Sequence, residues 1–175
     1  LEGLDHSEEN LAELENAYEA ANQTCLEKAA TLTRTREKAA KTVGKQLKER
    51  LIPLGIPNVR FEINMEPKPL CEDGADRVQF LFSANKNSEL QPIAQIASGG
   101  EIARVMLSLK ALISGAVKLP TIIFDEIDTG VSGRVAEKMA QMMKEMGQSD
   151  RQVISITHLP QIAAQGTTHY KVVKE

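Results

Sequence analysis

Ile96-Ala97-Ser98-Gly99-Gly100-Glu101, read together with Thr121-Ile122-Ile123-Phe124-Asp125-Glu126, is the pair of stretches that decides the fold. The first places two glycines behind a serine at the start of an apolar-periodic run. Backbone N–H groups at such a helix start can approach an anion closely, and the helix dipole favours its charge. The second is a run of apolar residues ending in two acids, which predicts a buried strand delivering carboxylates to its tip. Together they make most of a nucleotide site. Nowhere does the chain contain Gly-x-x-x-x-Gly-Lys-Ser/Thr, the loop that would cradle the phosphates in the same polypeptide.

Working outward, Ser98-Gly99-Gly100-Glu101 also fits the Ser-x-x-Glu capping box, and Ile102, Val105, Met106, Leu109, Leu112 and Ile113 follow at helical spacing. A helix to about Ser114 is predicted, with Gly115 as its stop. A helix cap alone explains the serine and the glutamate; the paired glycines and the acidic strand tip downstream favour phosphate contact. Leu119 to Phe124 reads as a strand buried on both faces, of the kind found inside a parallel sheet. Gly130 to Gly133 bounds a tight turn, and Val135, Met139, Met142, Met143 and Met146 then mark the inner face of a helix. Methionine at that spacing is core filler rather than a cofactor box. A second buried strand is predicted from Gln152 to Thr157, followed by His158-Leu159-Pro160, a short helix over 161–164 and a last strand from His169 to Val173.

Helix alternating with buried strand implies βαβ units and an α/β fold with a mainly parallel sheet and flanking helices. In such sheets ligands sit beyond the carboxyl ends of the strands. If the two buried strands are neighbours, Asp125, Glu126 and His158 converge on one rim. An aspartate there can hold Mg²⁺ through water, a glutamate can orient or deprotonate an attacking water, and an imidazole can hydrogen-bond a terminal phosphate. The plainer readings are a solvated loop start for the acids and a strand-capping histidine. His6 and His169 have no comparable setting.

Upstream, residues 4–51 contain no proline and one glycine, Gly44, while Leu4, Leu11, Leu14, Tyr18, Ala21, Cys25 and Leu32 fall on alternating seven-residue positions. This predicts one long helix of roughly 70 Å with a narrow seam for a second helix. Its first half is acidic and its second half basic. That segregation suits a solvated helix whose charges oppose its dipole, and equally a stripe, Lys38, Lys41 and Lys45 included, that touches a DNA backbone. Pro53, Gly55 and Pro57 end the helix and divide the chain into an arm, 1–52, and a lobe, 53–175. Val59 to Met65 and Val78 to Phe82 alternate as a β-hairpin, or as two neighbouring antiparallel strands, with a long proline- and glycine-rich tip between them. Asn85 to Gln95 reads as a loop.

The net charge of −3 gives no global basic field, so nucleic acid must be met by a local patch. Two cysteines, Cys25 and Cys71, exclude a disulfide framework and a zinc site and predict reduced thiols in a cytosolic protein. No run reaches the ~20 apolar residues of a membrane span. A start at Leu1 and a strand-like end read as an excerpt of a longer protein.

Ser98-Gly99-Gly100-Glu101 resembles the signature motif of ABC-type ATPases, Ile122-Ile123-Phe124-Asp125-Glu126 their Walker B strand, Asp128-Thr129-Gly130-Val131-Ser132 the D-loop, and Thr157-His158 the switch histidine. The wording of residues 96–101, 124–133 and 157–164 is similar to the SMC-like branch of that class that acts in bacterial DNA double-strand-break repair. Ala97 stands where transporters usually carry leucine, and Glu101 where they usually carry glutamine. The resemblance implies the C-terminal lobe of a P-loop ATPase head with its returning coiled-coil arm. The Walker A lysine and the Q-loop belong to an N-terminal lobe, so this chain alone is not expected to hydrolyse ATP.

By the same resemblance two heads sandwich ATP in a homodimer. Ser98, Gly99, Gly100 and Glu101 contact the nucleotide of the other head, Asp125 supports Mg²⁺ through water, Glu126 activates water and His158 senses the γ-phosphate. Asp128, Thr129, Gly130, Val131 and Ser132 report across the dimer, and turnover is coupled to the arms and to bound DNA, with no membrane partner. A transporter nucleotide-binding domain is the alternative, but it requires a helical subdomain where this chain has a long helix and a hairpin. A non-catalytic coiled-coil dimerisation module is a third reading, against which stand the intact acids and His158.

Overall fold

The computed structural model describes residues 2–96, 99–117, 119–148 and 151–173, with the side chains of residues 2–9 left out. In chain order the elements are α1 (Glu2–Leu51), β1 (Arg60–Cys71), β2 (Gly74–Ser83), β3 (Gln91–Pro92), a 3₁₀ turn (Ile93–Gln95), α2 (Gly99–Ala116), β4 (Thr121–Asp125), α3 (Gly133–Gly147), β5 (Gln152–Ile156) and α4 (Pro160–Ala163). Two compact units are formed: Leu1–Lys41 with Asn64–Gln79, and Thr42–Ile63 with Phe80–Glu175.

The first unit carries the coil seam and the hairpin tip. Leu11, Leu14 and Tyr18 are exposed, the last at 71%, as a seam without a second helix requires. Toward the tip the helix is tied down by polar contacts. Thr33 Oγ1 donates to the Asp76 carboxylate at 2.8 Å, and Arg36 pairs with Asp76 at 3.0 Å while donating to the Asp73 carbonyl at 2.7 Å. The hairpin differs from the sequence expectation. Its strands run on through Pro67-Lys68-Pro69, and the tip is only Glu72-Asp73. The strand order β1-β2-β3 explains this, because β1 is an edge strand and prolines two residues apart address the same side of it. A proline nitrogen on the free edge of such a strand costs no ladder hydrogen bond. The predicted loop over 85–95 also contains β3, which pairs antiparallel with β2, Leu81 opposite Pro92.

The second unit holds two apolar clusters. Leu47 and Leu51 of α1 are fully buried with Ile56, Val59, Phe82 and Val105, which anchors the C-terminal end of the helix. Phe124, Ile122, Leu107, Met139, Met143, Met146 and Ile162 form the larger core. Here β4 and β5 lie side by side and parallel, joined through α3 as a βαβ unit.

Three expectations are corrected. The strands are not buried on both faces: Ile122 and Phe124 face the core, whereas Ile123, Ile154 and Ile156 are 55%, 40% and 51% exposed, because nothing in the described residues covers that face. Helix α2 continues through Gly115 to Ala116, since the chain turns only at Val117. Residues 169–173 form no strand among the described residues, for no neighbouring strand pairs with them.

Candidate functional site

The parallel register sets the site. Asp125 lies opposite Ile156, so the residues following both strands emerge at one carboxyl-end rim. Glu126 continues the pairing by donating its N–H to the Ile156 carbonyl at 3.0 Å. Asp125 and Glu126 are exposed there, and His158 follows β5 with its side chain 64% exposed. The condition set by the sequence, that the two strands be neighbours, is therefore met.

Between β4 and α3 the chain makes a compact turn. Glu126 has φ of 46°, an unusual left-handed conformation for a residue with a Cβ. Its carbonyl accepts the Thr129 hydroxyl at 2.9 Å and the Thr129 N–H at 3.4 Å, and the Asp128 carbonyl accepts the Val131 N–H at 3.1 Å. These bonds hold a strain of order 1–3 kcal/mol, the kind that collects at working sites. Gly130 takes φ of 72°, which a glycine adopts without penalty.

The D-loop-like residues do not share one environment. Thr129, Gly130 and Ser132 are exposed, Val131 is buried in the core, and Asp128 is 1% exposed. The Asp128 carboxylate accepts the Thr157 hydroxyl, and His158 Nδ1 stands 3.5 Å from its other oxygen.

The glycine-bearing helix start abuts the same turn. A Cβ at Gly100 would meet the Thr129 carbonyl oxygen at 3.2 Å, tighter than ordinary contact, so any side chain there would press on the turn. A Cβ at Gly99 would meet nothing within 4 Å among the described residues. Glu101 is half-buried in the first turn of α2. Ser98, the remaining member of the motif, lies with Ala97 outside the described residues. Lys38, Lys41 and Lys45 are exposed on α1, with Lys45 within 4.0 Å of Glu49.

Two positioning residues escaped the sequence reading. Arg104 donates to the Gly100 carbonyl at 2.9 Å and to the Leu54 carbonyl at 3.1 Å, fastening the start of α2. Arg151 donates to the Leu119 carbonyl at 2.8 Å and the Ser114 carbonyl at 2.7 Å, fastening the approach to β4. Each binds at least one backbone carbonyl far away in sequence, which no local pattern marks.

No protein-family model matches the chain. Relatives do. The chain is 36% identical over 180 residues to the DNA repair protein RecN of Halalkalibacterium halodurans, covering 100% of this chain and 32% of that protein. The RecN of Synechocystis is 38% identical over 172 residues, covering 98% of this chain and 29% of the relative, and that of Bacillus subtilis 32% over 191 residues, covering 100% and 33%. The chain is a RecN-like segment.

Its backbone agrees with the SMC branch. The Smc head domain of Pyrococcus yayanosii, solved with a coiled coil and joint, superposes with a TM-score of 0.64 at 26% identity, covering 91% of this chain and 29% of that one. That of Pyrococcus furiosus, solved with an extended coiled coil, gives 0.63 at 24% identity, covering 90% and 37%. The fold is that of an SMC-type ATPase head, here its C-terminal lobe. The segment spans about a third of the length of the RecN relatives it matches. Among the described residues no helix is long and apolar enough to cross a membrane.

Proposed function

We propose that this RecN-like segment supplies one side of a composite ATP site in an SMC-like ATPase acting in DNA double-strand-break repair and recombination. The observation that carries the reading is the shared rim, where the parallel pair β4–β5 brings Asp125-Glu126 beside Thr157-His158. The turn between β4 and α3 reaches from that rim to the glycine start of α2. RecN relatives over the full chain and the SMC-head fold support it.

The residues present fit a nucleotide with its metal. Asp125 and Glu126 are exposed carboxylates, oxygen donors of the kind Mg²⁺ takes through water, and no described residue crowds a Cβ position at Gly99. Bound Mg²⁺ neutralises phosphate charge. On this reading Asp125 holds the metal's water shell, and Glu126 orients a water and accepts its proton. His158 hydrogen-bonds the terminal phosphate. Ser98, Gly99, Gly100 and Glu101, with Thr129, Gly130 and Ser132, address the nucleotide held by a second head, and Asp128 and Val131 set the turn that presents them.

The phosphate loop comes from an N-terminal lobe bearing Walker A. The exposed Ile123, Ile154 and Ile156 offer that lobe a face, since isoleucines of one sheet are costly to leave in water. ATP then joins two heads in a homodimer, and closing and reopening them moves the coiled-coil arms on DNA, to which Lys38, Lys41 and Lys45 add phosphate contacts. The hairpin and long helix that precede the signature stand where a transporter would carry its helical subdomain.

The test uses the intact protein with both lobes. Glu126→Gln should lower ATP turnover by about 100-fold or more, the contribution of a positioned base, while ATP still binds and a closed dimer accumulates. Full turnover in that variant refutes the role of Glu126.

A further inference from the structure

We infer that Asp128 is a positioning residue for His158, holding the imidazole with Nδ1–H toward the buried carboxylate and leaving Nε2 as the working nitrogen. Asp128 is almost wholly buried, unlike the acids Asp125 and Glu126 beside it. Its Oδ2 is matched to the Thr157 hydroxyl. Thr157 Oγ1 in turn accepts the Leu159 N–H at 3.0 Å and gives its own proton to the Asp128 carboxylate, the acceptor of that bond.

The second carboxylate oxygen, Oδ1, is buried and has no hydrogen-bond partner among the described residues. His158 Nδ1 stands 3.5 Å from it. A buried carboxylate oxygen left without a donor is costly, and a small turn of the exposed imidazole removes the cost if Nδ1 carries a proton. The carboxylate cannot donate, so the tautomer is decided by Asp128 and not by the solvent around the ring. A neutral ring then offers Nε2 as an acceptor, and a doubly protonated ring offers Nε2–H to an anion while Nδ1 stays with the carboxylate.

Since Asp128 lies in the turn that touches Gly100 and follows Glu126, one buried side chain ties the histidine to both. The consequence for turnover rests on the proposed ATP site; the tautomer does not.

The experiment reads the tautomer directly. In ¹⁵N-imidazole NMR of this chain, with His158→Gln to assign the signal and the pH high enough for neutral rings, His158 should carry its proton on Nδ1. Asp128→Asn should invert it. With the asparagine oxygen accepting the Thr157 hydroxyl, as Oδ2 does in the wild type, the amide N–H₂ faces Nδ1, so that nitrogen accepts and the proton moves to Nε2. Were Asp128→Asn to fail to fold, the wild-type spectrum still decides, because an Nε2–H ring there overturns the inference, as does an unchanged tautomer in a folded variant. In the intact ATPase, Asp128→Asn should lower kcat about 10- to 100-fold with the KM for ATP little changed, the usual scale for an outer partner of a working histidine. An inverted tautomer with undiminished turnover would leave the positioning intact and count against His158 in the proposed ATP site.

Discussion

Two adjacent side chains of β4, Ile123 and Phe124, point to opposite faces of the sheet, and truncating each to alanine measures whether those faces differ as described. Phe124 is 1% exposed, packed in the larger core with Lys110 Nζ 5.3 Å from its ring centroid. Removing a buried phenyl costs about 3–5 kcal/mol through lost transfer energy and the cavity left behind. Ile123 is 55% exposed, so more than half of its surface is already in water and no enclosed cavity forms. Its truncation in this chain should cost about 1 kcal/mol or less, against about 2–5 kcal/mol for a fully buried isoleucine.

Urea unfolding of this chain and of the intact protein, comparing midpoints at constant slope, supplies both numbers. In the intact protein the cost of Ile123→Ala should rise toward the buried value, because the proposed N-terminal lobe covers that face. Equal losses for Ile123→Ala and Phe124→Ala in this chain would refute the two-faced description of β4. No rise in the intact protein would refute the docking of the other lobe there.

Gly99→Ala and Gly100→Ala should separate packing from contact with ATP. The first should leave the melting temperature of this chain unchanged yet weaken turnover in the intact protein, whereas the second should lower both, because its methyl meets the Thr129 carbonyl. At the hairpin tip, hydrogen bonds from Cys71 and Lys68 lower the Asp73 pKa to about 2, and hydrogen bonding from Thr33, with Arg36 adding to it, lowers that of Asp76. Carboxyls depressed in the folded state stabilise above their unfolded value near 3.8 and lose that contribution as pH falls through the folded one, so acid titration followed by circular dichroism should show loss between about pH 4 and 2. Asp73→Asn with Asp76→Asn should flatten that limb. Reversing Lys38, Lys41 and Lys45 to glutamate should weaken DNA binding by the intact protein and reduce the slope of log affinity against log salt, and an unchanged slope would return the stripe to a solvated helix face.

What could be read from residues alone followed the length over which a pattern acts. The 3.6-residue period of Val105, Leu109 and Leu112, and the proline-free run before Pro53, specify helices by local sterics and hydrogen bonding, and α1 and α2 occur where those runs lie. Pro67 and Pro69 misled because a proline breaks a strand only where its missing N–H is needed, and only the strand order shows that β1 is an edge. Residues 169–173 alternate like a strand, but a strand needs a neighbour, and none pairs with them among the described residues.

The same division runs through the site. Sequence by itself determined the chemistry available: two acids after an apolar strand, a histidine after another, and paired glycines opening a helix, each a short-range consequence of side-chain type and backbone freedom. Tertiary structure decided how those groups are used. Parallel pairing of β4 with β5 put the acids and the histidine on one rim, and the approach of α2 to the turn left little room for a side chain at Gly100. Asp128, which the sequence offers only as the first residue of a D-loop-like turn, is buried and paired with a hydroxyl 29 positions away, because burial and hydrogen bonding depend on what the folded chain brings near and not on what precedes or follows in sequence.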